Sequence, residues 1–579
     1  MWNQYWTSSL CVSTLLLSLL LPAASASSPV VKLSQGVITG YLNKTSSVET
    51  FLGIPFALPP VRFAKPVAVP KHYGNVKATK FGPICTQNAT DTFDAGSEDC
   101  LTVNIFRPRK TSAKAKLPVV VYIYGGSFNA GGAFPYTGNS LVPRSVSAGK
   151  PIILVTLNYR VGIYGFLGGD SFYEQVKKGN ATLNAAYWDQ RLAQQWVVKN
   201  IESFGGDPKK ITIWGQSAGA FGVGAHLTFK DNLNATNRPF RAAIMNSGTP
   251  QFPTTLPPTH PRLTDTYNKV LNLTSCTSNS SAQALACLRS VNASILAAAN
   301  KVIVTDPGLI VGFLLTTPIL DGNFFPASPN ELLRTGRFAD VPILTGNMND
   351  EGTIFAPTTI GGSQNFTLVE SAIFGANTTQ SATAASVLTT IPKLYPNRLP
   401  LGSPYLQQGN RVSQGVTNGS DPFYFQPSDN QYKRLSSLFG DWAFFANRRF
   451  MLANVASGGR KSRAWGYIVR QLDYGYELKK GCAHGTELPY LFGNTGTGAF
   501  GSPRLYEPLA KRMSHAWISF IADLDPRTID GLHWPSYNNA TARVLYQFKG
   551  LNNTVVPDDF RSQQMAFLTS PDAVKTFSS

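Results

Sequence analysis

The sequence predicts an α/β fold: a large central mixed, mostly parallel sheet flanked by helices, with long insertions over one end. Two observations carry this. Short apolar runs suited to buried strands recur along the 579 residues, at 117–124, 210–214, 341–345 and 464–469. The first two meet glycine turns, Gly125-Gly126-Ser127-Phe128 and Gly215, and the third leads into a polar turn, 347–352. At 210–225 the order is strand, sharp turn, then a run of mostly small residues, 218–225, that lets a helix pack closely on a sheet.

Taken in order, the chain starts with a secretory signal. Residues 15–21 are an apolar core and Ala24-Ser25-Ala26 is a small-residue cleavage site, which makes 1–26 the signal peptide. The flank before it lacks Lys and Arg, and the run falls short of the ~20 residues a membrane span needs. No later segment is long and apolar enough, so no transmembrane anchor is expected.

The stretch Gly215-Gln216-Ser217-Ala218-Gly219 has the form G-x-S-x-G between strand and helix. That is the geometry of a nucleophile elbow, which holds a serine hydroxyl out at a tight turn. A serine nucleophile needs a base, and the base needs an orienting acid. In α/β-hydrolases the order along the chain is serine, acid, histidine. Of six histidines, His72 precedes the serine, His226 sits on the helix after it, and His260 lies in a Pro-rich loop. His515 reads as helical and His533 as a late loop. His484, in the glycine-bounded loop after the 464–469 run, is where this fold puts its base. For the acid, the turn after 341–345 offers Glu351 and its neighbour Asp350, and composition does not choose between them. Gly125-Gly126-Ser127, at a strand end, is placed to aim backbone N–H groups at a developing oxyanion. Because Ser217, His484 and one of these two carboxylates must meet in one site, residues 27–579 read as a single domain with insertions over one sheet.

With these pieces in place the chain resembles the type-B carboxylesterase/lipase family, which includes cholinesterases, animal carboxylesterases and fungal lipases; it is most like the secreted fungal members. The resemblance runs from about Val31 to the C-terminus. It is carried by the elbow and, in order before it, by Phe51-Leu52-Gly53-Ile54-Pro55-Phe56-Ala57, Ser97-Glu98-Asp99-Cys100-Leu101, Asn158-Tyr159-Arg160-Val161-Gly162 and Phe204-Gly205-Gly206-Asp207-Pro208. It implies an α/β-hydrolase fold with Ser217 as nucleophile, Glu351 as acid and His484 as base. It implies an oxyanion hole from the N–H groups of Gly126, Ser127 and Ala218, with Ser247 supporting the triad. It also implies the disulfides Cys85–Cys100 and Cys276–Cys287. Two departures stand out: Gln216 occupies a position that is usually Glu, and Ser127 one that is usually Gly. The 85–100 loop has no tryptophan of the kind that stacks on choline in cholinesterases, which argues against a choline-ester specialist.

The function expected is that of a secreted carboxylic-ester hydrolase working through an acyl-enzyme, on short-to-medium acyl or other apolar esters. The alternatives are a long-chain lipase or sterol esterase and, further off, a non-catalytic adhesion protein of the same fold. The 85–100 loop is short, polar and acidic, with Phe93 its one large apolar side chain. It offers no apolar face for a lipid surface. The 308–316 stretch is the remaining candidate for a cover. Cys482, two residues from His484, reads as a buried inert thiol. Acceptors for N-glycans include Asn43, Asn88, Asn180, Asn272, Asn365 and Asn418. The formal charge is +19, with basic clusters short and scattered, as at Arg107–Lys110 and Arg460–Arg463. They read as solvated surface, with adhesion to acidic polysaccharide or anionic interfaces the alternative. No aromatic-basic module suggests nucleic acid. No Cys/His spacing suggests a metal, and no cofactor is expected.

Overall fold

The computed structural model describes residues 28–71, 74–87, 96–252, 254–305, 316–358, 361–362, 365–367, 369, 381–398, 401–404, 430–457, 463–472, 480–493, 507–529, 531–537 and 543–577. The signal segment, His72, Asn88, Phe93, Asn418, residues 460–462 and nearly all of the 308–316 stretch lie outside them.

Among the described residues one sheet has 11 strands. In chain order these are β1 (Tyr41–Asn43), β2 (Val48–Pro55), β3 (Thr102–Pro108), β4 (Leu117–Ile123), β5 (Ile153–Leu157), β6 (Gly206–Gln216), β7 (Ala242–Asn246), β8 (Ile343–Met348), β9 (Ala464–Val469), β10 (Val544–Phe548) and β11 (Thr554–Pro557). Across the sheet they run β11-β10-β9-β8-β7-β6-β4-β5-β3-β2-β1. The block from β10 to β5 is parallel, and antiparallel strands close both edges. Strands β5, β7, β8 and β9 are buried at every position, as parallel strands covered on both faces must be.

The flanking helices supply that cover. They include α1 (Ala185–Asn200), α2 (Ala218–Thr228), α3 (Tyr432–Gly440), α4 (Ala446–Ser457), α5 (Leu488–Phe492) and α6 (Glu507–Asp523). Every residue of α2 is buried, which its glycines and alanines permit. On one sheet face Trp214 stacks on Phe492 with ring centroids 4.9 Å apart and 4° between planes. A satellite cluster forms around Phe63, Tyr164, Leu263 and Tyr267, outside the main core. The Cys276–Cys287 disulfide lies beside it, and Cys85–Cys100 closes the loop before β3. Closing short loops in this way stabilises the chain by roughly 2–3 kcal/mol each on the chain-entropy account. Cys482 is a buried thiol outside both disulfides, its Sγ 3.2 Å from the Val469 carbonyl oxygen.

Candidate active site

Parallel α/β sheets gather their functional groups beyond the carboxyl ends of the strands, and four strands do so here. Ser217 follows β6, Gly125 to Phe128 follow β4, Glu351 lies three residues past β8, and His484 lies on the loop after β9. The sheet register puts Gln216, Asn246, Gly346 and Tyr467 at one level. The ladder continues past the strands, with Ser217 N donating to Asn246 O at 2.9 Å and Ser247 N to Gly346 O at 2.9 Å.

Ser217 has φ 56° and ψ −126°, a strained backbone state for a residue with a side chain. The flanking glycines are steric necessities. A Cβ on Gly215 would lie 2.2 Å from the Gly219 carbonyl oxygen, and one on Gly219 would lie 2.0 Å from that of Ile123. Both are far inside van der Waals contact, so strand, elbow and helix can close this tightly only with glycine at each.

Glu351 and His484 meet directly, with Nδ1 2.5 Å from Oε2. The other carboxylate oxygen, Oε1, accepts from Ser247 Oγ at 2.6 Å, Met348 N at 2.8 Å and Asn347 Nδ2 at 3.2 Å. Donors on both oxygens fix the carboxylate in one orientation. Asn347 is held in turn by Arg448 Nε at 2.7 Å, and Arg448 forms a buried two-pronged pair with Asp558 at 2.7 and 2.8 Å. Against the cost of burial, Arg448 and Arg449 hold the Asp558 carboxyl down at about 2. That places a buried ion pair behind Glu351.

Asp350 faces elsewhere. Its Oδ2 accepts from Cys482 N at 2.9 Å, its own N–H donates to Cys482 O at 2.9 Å, and Ser403 Oγ reaches Oδ1 at 3.0 Å. Of the two adjacent carboxylates, one meets the imidazole and the other pins the backbone of its loop.

The imidazole sits between aromatic rings. Phe444 lies 4.7 Å and Phe355 5.2 Å from it, centroid to centroid. Phe444 belongs to a π-helical turn, Asp441–Phe445, that joins α3 to α4. Such local widening of a helix is common at functional sites. Phe221 and Phe128 each pack against Phe252, at 4.9 and 5.4 Å, and all three rings are buried.

At the end of β4 the backbone runs through Gly126, Ser127 and Phe128 with φ of 117°, 57° and 61°. Left-handed geometry at Ser127 is reached despite its Cβ, at the cost expected of a non-glycine residue. This tight turn is closed by Asn129 N and Ala130 N, both on Gly126 O at 3.0 Å. No hydrogen bond among the described residues uses the N–H of Gly126 or Ser127. Ala218 is the first residue of α2, where an N–H has no partner within the helix.

Three other histidines of the described residues stand apart from this cluster. His226 is fully buried within α2 against Gln190, and burial pushes its pKa well down. His260 caps the helix Pro261–Leu273, and His515 is on α6.

Two neighbours escape a sequence reading. Gln216 Nε2 lies 3.1 Å from His484 Nε2. Glu487, three residues past His484, is fully buried: Oε1 accepts from Asn246 Nδ2 at 3.2 Å, and Oε2 has no partner among the described residues. Burial first, and the charge of Glu351 second, raise its carboxyl from 4.5 to about 7. The folded chain therefore holds a proton that the unfolded chain releases. The stability this contributes is full below about pH 4.5 and is lost as pH rises through about 7. Thermal melts of Glu487→Gln should lose that pH dependence, so that the variant gains on the wild type between pH 5 and 8. Parallel melting curves would contradict it.

A model of the carboxylesterase family matches residues 27–568. Lipase 2 of Diutina rugosa is 35% identical, covering 95% of this chain and 98% of its own length. Secreted lipase 1 of Botryotinia fuckeliana is 34% identical, covering 94% and 93% respectively. The crystal structure of Aspergillus niger EstA superposes with a TM-score of 0.76 at 26% identity, over 94% of this chain and 98% of that one.

Proposed function

The chain belongs to the carboxylesterase family and is a carboxylic-ester hydrolase, and from that premise we propose that Ser217, His484 and Glu351 are its catalytic triad. The observation that carries the reading is the 2.5 Å contact between His484 Nδ1 and Glu351 Oε2 at the elbow end of the sheet. A proton held on Nδ1 leaves Nε2 as the basic nitrogen on the side of β6.

His484 Nε2 takes the Ser217 hydroxyl proton as Oγ attacks the ester carbonyl carbon. The carbonyl π pair moves onto oxygen, and the N–H groups of Gly126, Ser127 and Ala218 donate to that oxyanion. Collapse breaks the C–O bond to the alcohol, which leaves with the proton from Nε2. Water then repeats the sequence on the acyl-enzyme, giving its proton to His484 and releasing the acid and Ser217. Glu351 steadies the imidazolium. Ser247 and Asn347 hold Glu351 in place. No step requires a cofactor.

The substrates are short-to-medium acyl or other apolar esters. Residues 1–26 are a signal peptide, 27–579 form one catalytic domain, and the enzyme is secreted, as one relative's name says of that protein. Among the described residues no single helix is long and apolar enough to cross a membrane. The polar 85–100 loop gives no burial-driven switch at a lipid surface. Rate should therefore rise smoothly with substrate concentration across the solubility limit, for short-chain and long-chain esters alike. A steep jump when an emulsion forms, with triolein the better substrate, would favour the long-chain lipase reading that the relatives named lipases suggest.

A further inference from the structure

The hydrogen bond between Gln216 and His484 is not used by the reaction as written. A carboxylate only accepts hydrogen bonds, so Glu351 at Nδ1 keeps the proton of the neutral ring there and leaves a lone pair on Nε2. The group facing that lone pair, at 3.1 Å, is the amide nitrogen of Gln216, which can only donate. It occupies the lone pair that must take the Ser217 proton. Among the described residues Ser217 Oγ itself makes no hydrogen bond.

The amide is held there by the sheet. Gln216 is the last residue of β6, paired in register with Asn246, and only 3% exposed. Its Oε1 lies 2.9 Å from where a Cβ on Gly125 would sit. The amide is thus wedged between the oxyanion loop and the imidazole, and glycine at 125 leaves room for it. The rings of Phe355 and Phe444 flank the imidazole without offering a donor. Among the described residues the titratable groups bearing on His484 are Glu351 at Nδ1 and the buried Glu487 beyond it.

We propose that Gln216 is a positioning residue that latches the base: its amide donates to His484 Nε2 in the free enzyme and gives way to Ser217 Oγ when an ester binds. The departure from the usual glutamate supplies this donor, since a carboxylate at the same place has no proton to give. The inference rests on the roles proposed for Ser217 and His484.

The test compares wild type, Gln216→Met and Gln216→Glu for the rate of phosphonate labelling, and for kcat and KM on a soluble ester, across pH. Both variants remove the donor. Above the acid limb of the profile both should label about fivefold faster than wild type, the worth of one ordinary hydrogen bond, with kcat/KM rising and KM little changed. Gln216→Glu should also move the acid limb up by about one pH unit, because its charge favours the imidazolium. A side chain that merely fills space would slow labelling when replaced. Labelling at or below the wild-type rate in folded variants overturns the latch, and if Gln216→Met does not fold, Gln216→Glu alone decides. A wild-type label that maps away from Ser217 would instead refute the triad reading beneath it.

Discussion

Replacing Ser217 with alanine is expected to lower ester hydrolysis by roughly 10⁴- to 10⁶-fold, as loss of a nucleophile does in triad enzymes. The fold should survive, because the Ser217 hydroxyl makes no hydrogen bond among the described residues. The backbone N–H to Asn246 O and the φ of 56° are borne by alanine as by serine. His484→Ala should abolish activity to a similar degree with a different signature. It strands the fully buried Glu351 carboxylate, whose Oε2 then has lost its partner. Uncompensated buried charge costs roughly 3 kcal/mol or more, so this variant should also melt earlier. Matched activity losses with unequal thermal shifts are the expected pattern, read by steady-state kinetics and melting on the same preparations.

Glu351→Gln should reduce kcat about 10³- to 10⁴-fold, since an amide in place of the carboxylate fails to hold the imidazole tautomer or stabilise its cation. Asp350→Asn should cost no more than about tenfold, because the substitution removes one acceptor from a backbone clamp and leaves the imidazole partner intact. Its effect belongs in stability, on the order of 1–2 kcal/mol, as either the Cys482 N–H or the Ser403 hydroxyl loses its acceptor. Equal losses of kcat in the two variants would mean that the carboxylates share the role.

The parallel sheet was legible because its strands are continuous apolar runs closed by glycine or polar turns, as strands covered on both faces require. The elbow was legible because strand, glycine and small-residue helix agree at 210–225. Choosing Glu351 over Asp350 was beyond composition. Two carboxylates one residue apart in a turn point to different places, and only the resemblance, then the geometry, separated them. Arg448 and Asp558 left no local signal, since their link to Glu351 passes through Asn347, which is 101 residues from Arg448, itself 110 residues from Asp558. Glu487 had a weak one, its position three residues past His484. The role of Gln216 was invisible because a sequence shows that an amide replaces a carboxylate but not which atom it faces.

The central claim, that Ser217 is the nucleophile activated by His484, is tested most directly by mapping a serine-directed phosphonate. Peptide mass spectrometry of the inactivated enzyme should find one adduct, on Ser217, at a stoichiometry that matches the activity lost. The His484→Ala protein, mixed with the same reagent, should stay almost unlabelled. An adduct on another serine, or complete labelling of Ser217 at the wild-type rate without His484, would contradict the account.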